Sequence, residues 1–376
     1  MGSRTLLPVL YRNRLARLQK LLKAHNLSAL LVTTPENRRY LSGFRAVDPQ
    51  LSESSGFLIV GDQTTILGTD PRYEIEAHEE ARGFFPFIYD RGLEGSWDKI
   101  AEKINGLKRL GFEPGGLTCQ FHGRLKKILK KSGSRLELVP AADLVESLRV
   151  RKDPGEIRSI RKALAITEEV FREINRSLKP GQTERAIGWK IKTLIHQKGG
   201  DGIAFEPIVA SGPNAGRPHA ELTDRPIEKG ESIIFDFGAR WNGYCSDLSR
   251  TVCLGKPPDR FRELYGLVRG AQLAAQTGIR AGMTSQEADQ LARGVIEKAC
   301  YGRLFKHSLG HGVGLATHEA PSLSPVRPVS LETGMVVTIE PGLYIPDWGG
   351  IRLENMVAIG KGRSELLNTD QSFYEF

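Results

Sequence analysis

The spacing of apolar residues over positions 1–148 predicts helices that alternate with short strands. A helix is predicted over 12–25, where apolar residues occur at helical spacing: Leu15, Leu18, Leu21 and Leu22. Short apolar runs bounded by turn residues predict strands at 29–32, 57–60, 64–67, 84–89, 110–113 and 136–139. Further helices are predicted near 71–80, 96–105 and 120–132. Because this alternation is typical of α/β proteins, we expect an α/β domain that spans residues 1–148.

The pattern over 149–376 repeats itself. A loop ending in Thr183 precedes a predicted helix over 184–197, and a similar loop ending in Thr284 precedes a predicted helix over 286–300, about 100 positions later. This repeat predicts a second domain of the α+β type. We expect it to consist of two half-domains of helix-helix-strand order that pack around a pseudo-twofold axis.

Candidate functional residues follow the same repeat. His219 recurs as His318, and Asp236, at the end of an apolar strand, recurs as Glu340 at a similar offset of about 100 positions. The matches occur in the same order along the chain. Each half is therefore expected to deliver one histidine and two acids to a shared centre.

The first two acids lie on a predicted hairpin. The Asn-Gly pair at 242–243 is a strong signal for a two-residue turn, because both central residues of such a turn have positive φ. A turn there pairs Asp236 with Ser249 and Gly238 with Asp247. Both acids then lie on one face, with Cβ atoms roughly 7–8 Å apart, and the glycine between them leaves an open space. Two such charges on an apolar strand repel each other unless a cation lies between them.

The second half carries a matching pair of acids. Glu340 follows an apolar strand over 335–339, and Arg352 and Glu354 alternate to one side of the strand that returns. Alone, Glu340 would be an ordinary carboxylate at a strand end. Its match to Asp236 favours a functional site.

A glycine-rich segment surrounds His311. Three glycines lie within five residues at 310–314, so His307 and His311 are not expected to form a metal-binding pair on a helix. A phosphate-binding loop is disfavoured, because no Lys-Ser or Lys-Thr pair follows. Glycines beside a histidine allow the backbone to approach a metal or a substrate closely. We therefore predict that His311 is a metal ligand rather than a core histidine.

The predicted ligand set consists of four carboxylates and one imidazole: Asp236, Asp247, His311, Glu340 and Glu354. These are mainly hard oxygen ligands, which suit a pair of Mn²⁺, Co²⁺, Fe²⁺ or Zn²⁺ ions and argue against a structural zinc site. Two ions roughly 3.5–4 Å apart lower the pKa of a bridging water and hold both the attacking and the leaving atom. The reaction that this set predicts is hydrolysis.

Composition narrows the class of protein. The chain has 376 residues, 40% of them hydrophobic and 26% charged, with a formal net charge of +9. The densest basic run, at 124–131, lies on a predicted helix without interleaved aromatic residues, so nucleic-acid binding is not expected. Four cysteines without a Cys-x-x-Cys pair favour a reducing cytoplasm. With no signal peptide and no run of 18 apolar residues, we expect neither export nor a membrane span.

The motifs resemble those of a known family. Asp236 and Asp247, His311 within Gly-His-Gly-Val-Gly, His318-Glu319, Glu340-Pro-Gly and Arg352-Leu-Glu354 are similar to the metal motifs of the pita-bread metallopeptidases, which include aminopeptidase P, prolidase and methionine aminopeptidase. The resemblance covers about residues 150–376. More loosely, Tyr40-Leu-Ser-Gly-Phe44 and Asp70-Pro-Arg-Tyr73 resemble the creatinase-type N-terminal domain of the proline-specific members.

The resemblance implies a role for each candidate. The five ligands would hold two divalent ions, with Mn²⁺ favoured, and Glu340 would also relay a proton to the leaving amine. His219 and His318 would hydrogen-bond the substrate and the tetrahedral intermediate. Arg352 would orient this constellation. The resemblance also implies peptide substrates with proline at the second position, and a homodimer.

Two classes of function stay open. The first is an exopeptidase, expected to be an Xaa-Pro aminopeptidase, with an Xaa-Pro dipeptidase (prolidase) as the alternative. The second is a non-catalytic module that uses this fold to bind peptides or proteins. Such modules usually lose metal ligands, and a metal-independent hydrolase like creatinase lacks the acids. The presence of all five ligands therefore favours the enzyme.

Overall fold

Residues 8–90 and 92–375 are described by a computed structural model of the chain. The chain divides into two units, Met1–Arg149 and Val150–Phe376. None of the helices in this described part combines the length and the apolar character needed to cross a lipid bilayer.

The N-terminal unit contains a six-stranded sheet in the order β4-β3-β2-β1-β5-β6. The strands are β1 (Ala29–Val32), β2 (Phe57–Gly61), β3 (Thr65–Thr69), β4 (Phe85–Ile88), β5 (Arg109–Phe112) and β6 (Glu137–Pro140). The helices are α1 (Val9–Ala24), α2 (Pro35–Ser42), α3 (Glu74–Glu80), α4 (Gly92–Gly95), α5 (Trp97–Lys103), α6 (Cys119–Lys131) and α7 (Leu144–Arg149). Strand β2 is antiparallel to both of its neighbours, whereas β3–β4, β1–β5 and β5–β6 are parallel.

All six strands predicted in this unit are present, within one or two residues of their predicted ends. Apolar runs located the central strands β1 and β2 well, because every residue of these two strands is buried, on both faces of the sheet. Helix α2 was not predicted. It has only eight residues, and it buries the polar side chains of Asn37 and Arg38 as well as Tyr40 and Leu41, so its buried face is not a purely apolar stripe. Its ends do carry the usual signals, Pro35 at the first position and Gly43 with φ of 87° after the last turn.

The C-terminal unit has four helices and thirteen strands among its described residues. The helices are α8 (Pro154–Ser177), α9 (Glu184–Gln197), α10 (Asp259–Gly278) and α11 (Ser285–Lys298). The first strands are β7 (Gly202–Ile203), β8 (Ile208–Ser211), β9 (Ser232–Asp236), β10 (Ala239–Trp241), β11 (Tyr244–Cys245) and β12 (Ser249–Cys253). The others are β13 (Gly310–Gly312), β14 (Glu319–Leu323), β15 (Val336–Ile339), β16 (Gly342–Ile345), β17 (Gly349–Arg352), β18 (Asn355–Ala358) and β19 (Glu365–Leu366).

Each half of this unit packs its own pair of helices against its own strands. Apolar residues of α8 and α9 form one core cluster with β8, β9 and β12. Residues of α10 and α11 form another with β15, β17 and β18. The predicted repeat of helix, helix and strand is therefore present. In each half, the two helices pack against the strands near which the candidate acids lie.

The repeat extends to the ends of the helices. Thr183 and Thr284 precede α9 and α11, and each side-chain oxygen accepts a hydrogen bond from the backbone N–H three residues further on, at 3.1 Å in both cases. Each threonine also forms an isolated antiparallel bridge, Thr183 with Pro226 and Thr284 with Ser330. The two threonines therefore tie the start of a helix to a neighbouring segment in each half.

We expect Thr183→Ala and Thr284→Ala each to lower the free energy of unfolding by about 1 kcal/mol, because each removes a helix cap. The double variant should lose close to the sum of both effects if the sites are independent. Urea unfolding of the full chain measures these differences. Thr277→Ala, at an exposed position inside α10 where the hydroxyl bonds only to carbonyls of its own helix, is the matched control and should not destabilise the protein.

Candidate metal centre

The predicted hairpin is present with the predicted register. Asp236 pairs with Ser249, and Arg240 pairs with Cys245. Asn242 and Gly243 have φ of 47° and 76°, as the two-residue turn requires. The expectation of open space at Gly238 was wrong, because a methyl group at that position would collide with the carbonyl oxygen of Ser246. This glycine allows the two strands to approach each other closely.

The glycines around His311 serve the same purpose. A methyl group on Gly310 would collide with the carbonyl oxygen of Thr338, and one on Gly312 would collide with that of Ala320. Strand β13 can therefore lie tightly between its neighbours β14 and β15. These glycines therefore have a packing role, and a close approach of their backbone to a metal or a substrate stays a prediction. They position His311 indirectly.

Four of the five predicted ligands converge on one point. Single donor atoms of Asp247, His311 and Glu354 all lie within 4.8 Å of one another. The Nε2 atom of His311 lies 3.5 Å from Oδ2 of Asp247 and 3.3 Å from Oε1 of Glu340. The other ring nitrogen, Nδ1, faces the backbone carbonyl of Gly312 at 3.0 Å. This arrangement fixes the ring and directs Nε2 at the carboxylates, as is usual for a histidine that binds a metal.

The fifth predicted ligand, Asp236, lies beside this group. Its Oδ2 atom accepts a hydrogen bond of 2.5 Å from Nη2 of Arg352. Within the described part of the chain, its Oδ1 atom and Oε1 of Glu354 are buried without a hydrogen-bond partner. Buried carboxylate oxygens are normally satisfied, so two such atoms near one cluster indicate that a further partner belongs there.

The electrostatics of the acids fit a cation. Burial raises the pKa of Asp247 well above its usual value, and the nearby carboxylates of Asp236 and Glu340 raise it further. Burial and the charge of Asp247 likewise raise the pKa of Glu354. Carboxylates this close resist ionising together, and a divalent ion would remove that penalty. The donor set, four carboxylates and one imidazole, therefore fits divalent ions.

Glu340 differs from the other acids. Burial opposes its charged form, but the hydrogen bond and the charge of His311 dominate and lower the pKa of Glu340 to about 2. Burial likewise opposes the protonated form of His311, and its bond to Glu340 raises the pKa of the imidazole to about 9. Without a metal, the two groups form an ion pair. A metal would displace the proton from His311.

Arg352 lies at the centre of a hydrogen-bond network. Besides Asp236, it donates from Nε to Oγ of Ser249 at 2.8 Å, and from Nη1 to the carbonyl oxygen of Pro218 at 3.0 Å and to the hydroxyl of Tyr344 at 2.8 Å. Burial opposes its charge, but Tyr344 and Asp236 raise the pKa of Arg352, so it stays a cation. The guanidinium thus connects a candidate ligand to three other segments.

Sequence reasoning missed three side chains near this network. The hydroxyl of Tyr344 also lies 3.0 Å from Nε2 of His307. The hydroxyl of Thr338 donates to Oε1 of Glu340 at 3.1 Å and accepts from the backbone N–H of His311 at 3.0 Å. Strand alternation could have indicated Thr338, which lies two positions before Glu340 and shares its face. The contact between Tyr344 and His307 has no sequence signal, since it joins strand β16 to a segment 37 positions earlier in the chain.

The two predicted substrate histidines lie at the exposed edge of this group. The ring of His318 is 4.2 Å from the ring of His311, and burial and the charge of His311 lower its pKa. His219 is exposed and follows Pro218, the residue held by Arg352. Both are therefore open to a ligand.

A buried ion pair supports the segment that carries His318. Nζ of Lys152 donates to Oε2 of Glu319 at 3.1 Å, and both side chains are almost fully buried. The other carboxylate oxygen of Glu319 accepts from the backbone N–H of Ala316 at 3.0 Å. Glu319, the residue after His318, therefore fixes the segment on which His318 lies.

Comparison with known proteins supports a peptidase. The sequence profile described as "Metallopeptidase family M24" matches residues 158–361, and the one described as "Creatinase/Prolidase N-terminal domain" matches residues 14–151. The chain is 34% identical to a Xaa-Pro dipeptidase of Pyrococcus furiosus, over 96% of this chain and 99% of that protein.

Solved structures agree with the fold. The Xaa-Pro dipeptidase from Bacillus anthracis superposes with a TM-score of 0.89 at 32% identity, covering 96% of this chain and 99% of that one. The X-Pro aminopeptidase from Thermotoga maritima superposes with a TM-score of 0.83 at 31% identity, covering 95% and 99%. The predicted combination of a creatinase-like N-terminal domain and a pita-bread catalytic domain is confirmed. The chain belongs to metallopeptidase family M24, in its group of Xaa-Pro dipeptidases and aminopeptidases, and is a hydrolase.

Proposed function

We propose that this protein hydrolyses the peptide bond between an N-terminal residue and a following proline. Two divalent ions, with Mn²⁺ favoured over Co²⁺, Fe²⁺ and Zn²⁺, would be held by Asp236, Asp247, His311, Glu340 and Glu354. The observation that carries the proposal is the buried cluster of acids around Nε2 of His311. Such a cluster has a high electrostatic cost, which divalent ions would offset.

The ions, when bound, supply Lewis-acid activation of water and of the scissile carbonyl. The chain's own groups do the rest. The carboxylate of Glu340 can accept a proton and pass it to the leaving proline nitrogen. Its Oε1 atom is oriented by the hydroxyl of Thr338, which fixes where that proton is taken up.

The exposed histidines suit the stabilisation of developing charge. The lowered pKa of His318 keeps its imidazole neutral at pH 7, so the ring has one N–H to donate. His219 is exposed beside the network of Arg352. We propose that both donate hydrogen bonds to the substrate and to the oxygen that gains negative charge in the transition state. Arg352 would hold Asp236 in the orientation that binding of the ions requires.

The proposed preferred substrate is the Xaa-Pro dipeptide. Relatives named Xaa-Pro dipeptidase match nearly the whole chain, in sequence and in structure. The second candidate is the aminopeptidase that the sequence analysis favoured, supported by the similar X-Pro aminopeptidase from Thermotoga maritima. A dipeptidase needs a cation for the free carboxylate directly after proline, whereas an aminopeptidase must leave that side open.

The oligomeric state and the cellular compartment of the enzyme are also proposals. We propose a homodimer, on the family resemblance, and a reducing cytoplasm, on the cysteines. Cys119, Cys245, Cys253 and Cys300 are all free within the described residues. Separated thiols are typical of proteins from reducing compartments.

Asp247→Ala and His311→Ala are each expected to lose bound metal and peptidase activity together, because each removes one donor from the cluster. The loss should exceed the roughly 10- to 100-fold effect that removal of a supporting hydrogen bond has on metal sites. Metal analysis and the rate of Xaa-Pro hydrolysis, measured after chelation and again after addition of Mn²⁺, test this. The control variants His25→Ala and Asp98→Ala change exposed residues of the N-terminal unit and should keep both properties. Full activity of either site variant after chelation would contradict the proposal.

Rates on Xaa-Pro and on Xaa-Pro-Yaa-Zaa should differ by about tenfold or more in kcat/KM, in favour of the dipeptide. A tenfold preference corresponds to about 1.4 kcal/mol, which one charge-assisted contact to the free carboxylate can supply. Steady-state kinetics with both peptides on the Mn²⁺-loaded protein measures the ratio. A preference for the longer peptide would instead support the aminopeptidase.

Arg352→Lys should weaken metal binding by roughly 10- to 100-fold and lower activity with it, because one ammonium group cannot reproduce the forked contacts to Asp236, Ser249 and Tyr344. Titration with Mn²⁺ and the peptidase rate measure the effect. Arg38→Lys is the matched control, since Arg38 is also a buried arginine with many hydrogen bonds, but it lies in the N-terminal unit. It should lower stability and leave metal affinity unchanged. Equal metal affinity of the Arg352 variant and the wild type would remove Arg352 from the proposal.

A further inference from the structure

We propose that Glu184 is a positioning residue for this peptidase, because its buried carboxylate fixes the loop that carries His219. The inference rests on the proposed function, in which His219 contacts the substrate. Glu184 is the first residue of α9, and its relative exposure is 0%. It is not one of the five predicted metal ligands, and it lies 35 positions before His219 in the sequence, counting from 184 to 219.

The carboxylate accepts five hydrogen bonds from three residues. Oε1 accepts from the backbone N–H of Ser211 at 2.7 Å and from its hydroxyl at 2.9 Å. Oε2 accepts from Nδ2 of Asn214 at 2.8 Å, and from the backbone N–H and the hydroxyl of Thr223 at 3.3 and 2.5 Å. A buried carboxylate with this many donors is well compensated for its loss of water.

These donors lie at the two ends of one loop. Ser211 ends strand β8, and Thr223 lies twelve positions later, with His219 between them. The middle of the loop has its own attachment, since the carbonyl oxygen of Pro218 accepts from Arg352. Glu184 therefore closes the base of the loop, and Arg352 connects the loop to Asp236. Together they set where His219 lies relative to the acids.

The chemistry of the contact requires a carboxylate. All five hydrogen-bonding groups, on three residues, are N–H or O–H donors, and only an ionised acid can accept from all of them. Glutamine would place an NH₂ group against some of these donors and lose part of the network. The negative charge is also favoured by its position at the N-terminus of α9.

The other half of the unit shows that the repeat itself does not need this acid. The corresponding first residue of α11 is Ser285. Its hydroxyl donates to the carbonyl oxygen of Arg327 and accepts from the backbone N–H of Val329 at 3.1 and 3.0 Å. A small neutral side chain is therefore sufficient to tie this helix end to its neighbouring segment. The other half carries His318, and there the segment of the histidine is held by Glu319 instead.

The test is a double-mutant cycle on the full-length, Mn²⁺-loaded protein. We expect Glu184→Gln to lower kcat/KM for an Xaa-Pro dipeptide by about tenfold, close to the effect of His219→Ala, with bound metal unchanged. In the His219→Ala background, Glu184→Gln should change kcat/KM by less than about twofold. This lack of additivity is expected only if Glu184 acts through His219.

The matched control is Glu168→Gln. Glu168 is also a buried glutamate that accepts from a backbone N–H and a hydroxyl, both of Thr369, but it holds the C-terminal segment instead of the His219 loop. Its substitution should leave kcat/KM within about twofold of the wild type. Two kinetic results would overturn the inference: an equal loss from Glu184→Gln in both backgrounds, or no loss in the wild-type background.

Hydrogen exchange separates this inference from the proposed function. In Glu184→Gln, backbone amides of 211–223 should exchange about tenfold faster than in the wild type, because the bonds that close the loop are weakened. Amides near Ser285 and Val329 should be unchanged. If the chain cleaved no Xaa-Pro peptide but showed this faster exchange, the proposed function would fail while the anchoring by Glu184 would stand. Unchanged exchange in 211–223 would overturn the anchoring whatever the activity.

Discussion

The candidate site depends on the mutual repulsion of buried carboxylates. Asp247 and Glu354 lie together away from water, and burial and their like charges raise the pKa of both. Burying like charges together raises the free energy of the folded protein unless positive charge balances them. Within the described chain, the balancing groups next to the cluster are His311, which pairs with Glu340, and Arg352, which pairs with Asp236. The unsatisfied oxygens of Asp236 and Glu354 indicate where divalent ions would complete the balance.

The rest of the unit holds these groups in place against that repulsion. Glycines at 238, 310 and 312 allow strands to approach closely enough for donor atoms from separate segments to meet. Hydroxyl groups such as that of Thr338 connect one candidate ligand to another, and the buried pair of Lys152 and Glu319 supports the segment of His318. Loops that carry functional side chains are thus fixed by polar contacts, because their short, polar sequences lack the apolar surface for a core of their own.

Membership of the M24 group and the retained acids together favour catalysis over a role in binding alone. A module without metal would gain stability by replacing buried acids with apolar residues, since buried charges are rarely the most stable solution. This chain keeps all five candidate ligands and the arginine that orients one of them. The N-terminal unit contributes no group to this argument, and its six-stranded sheet is explained by packing alone.

The sequence by itself determined the strands of the N-terminal unit, the repeat of the C-terminal unit, the Asn-Gly hairpin with its register, and the candidate ligands. The strands and the hairpin are local, because apolar runs and turn residues act over a few positions. The repeat and the candidate ligands are not local, but they are visible as motifs that recur along the chain or resemble those of a family. Only the tertiary structure decided that Arg352 contacts Tyr344 and Pro218, that Glu184 closes the loop of His219, and that the glycines serve strand packing. Those contacts join residues far apart in the chain, and no periodicity or spacing encodes which distant groups meet.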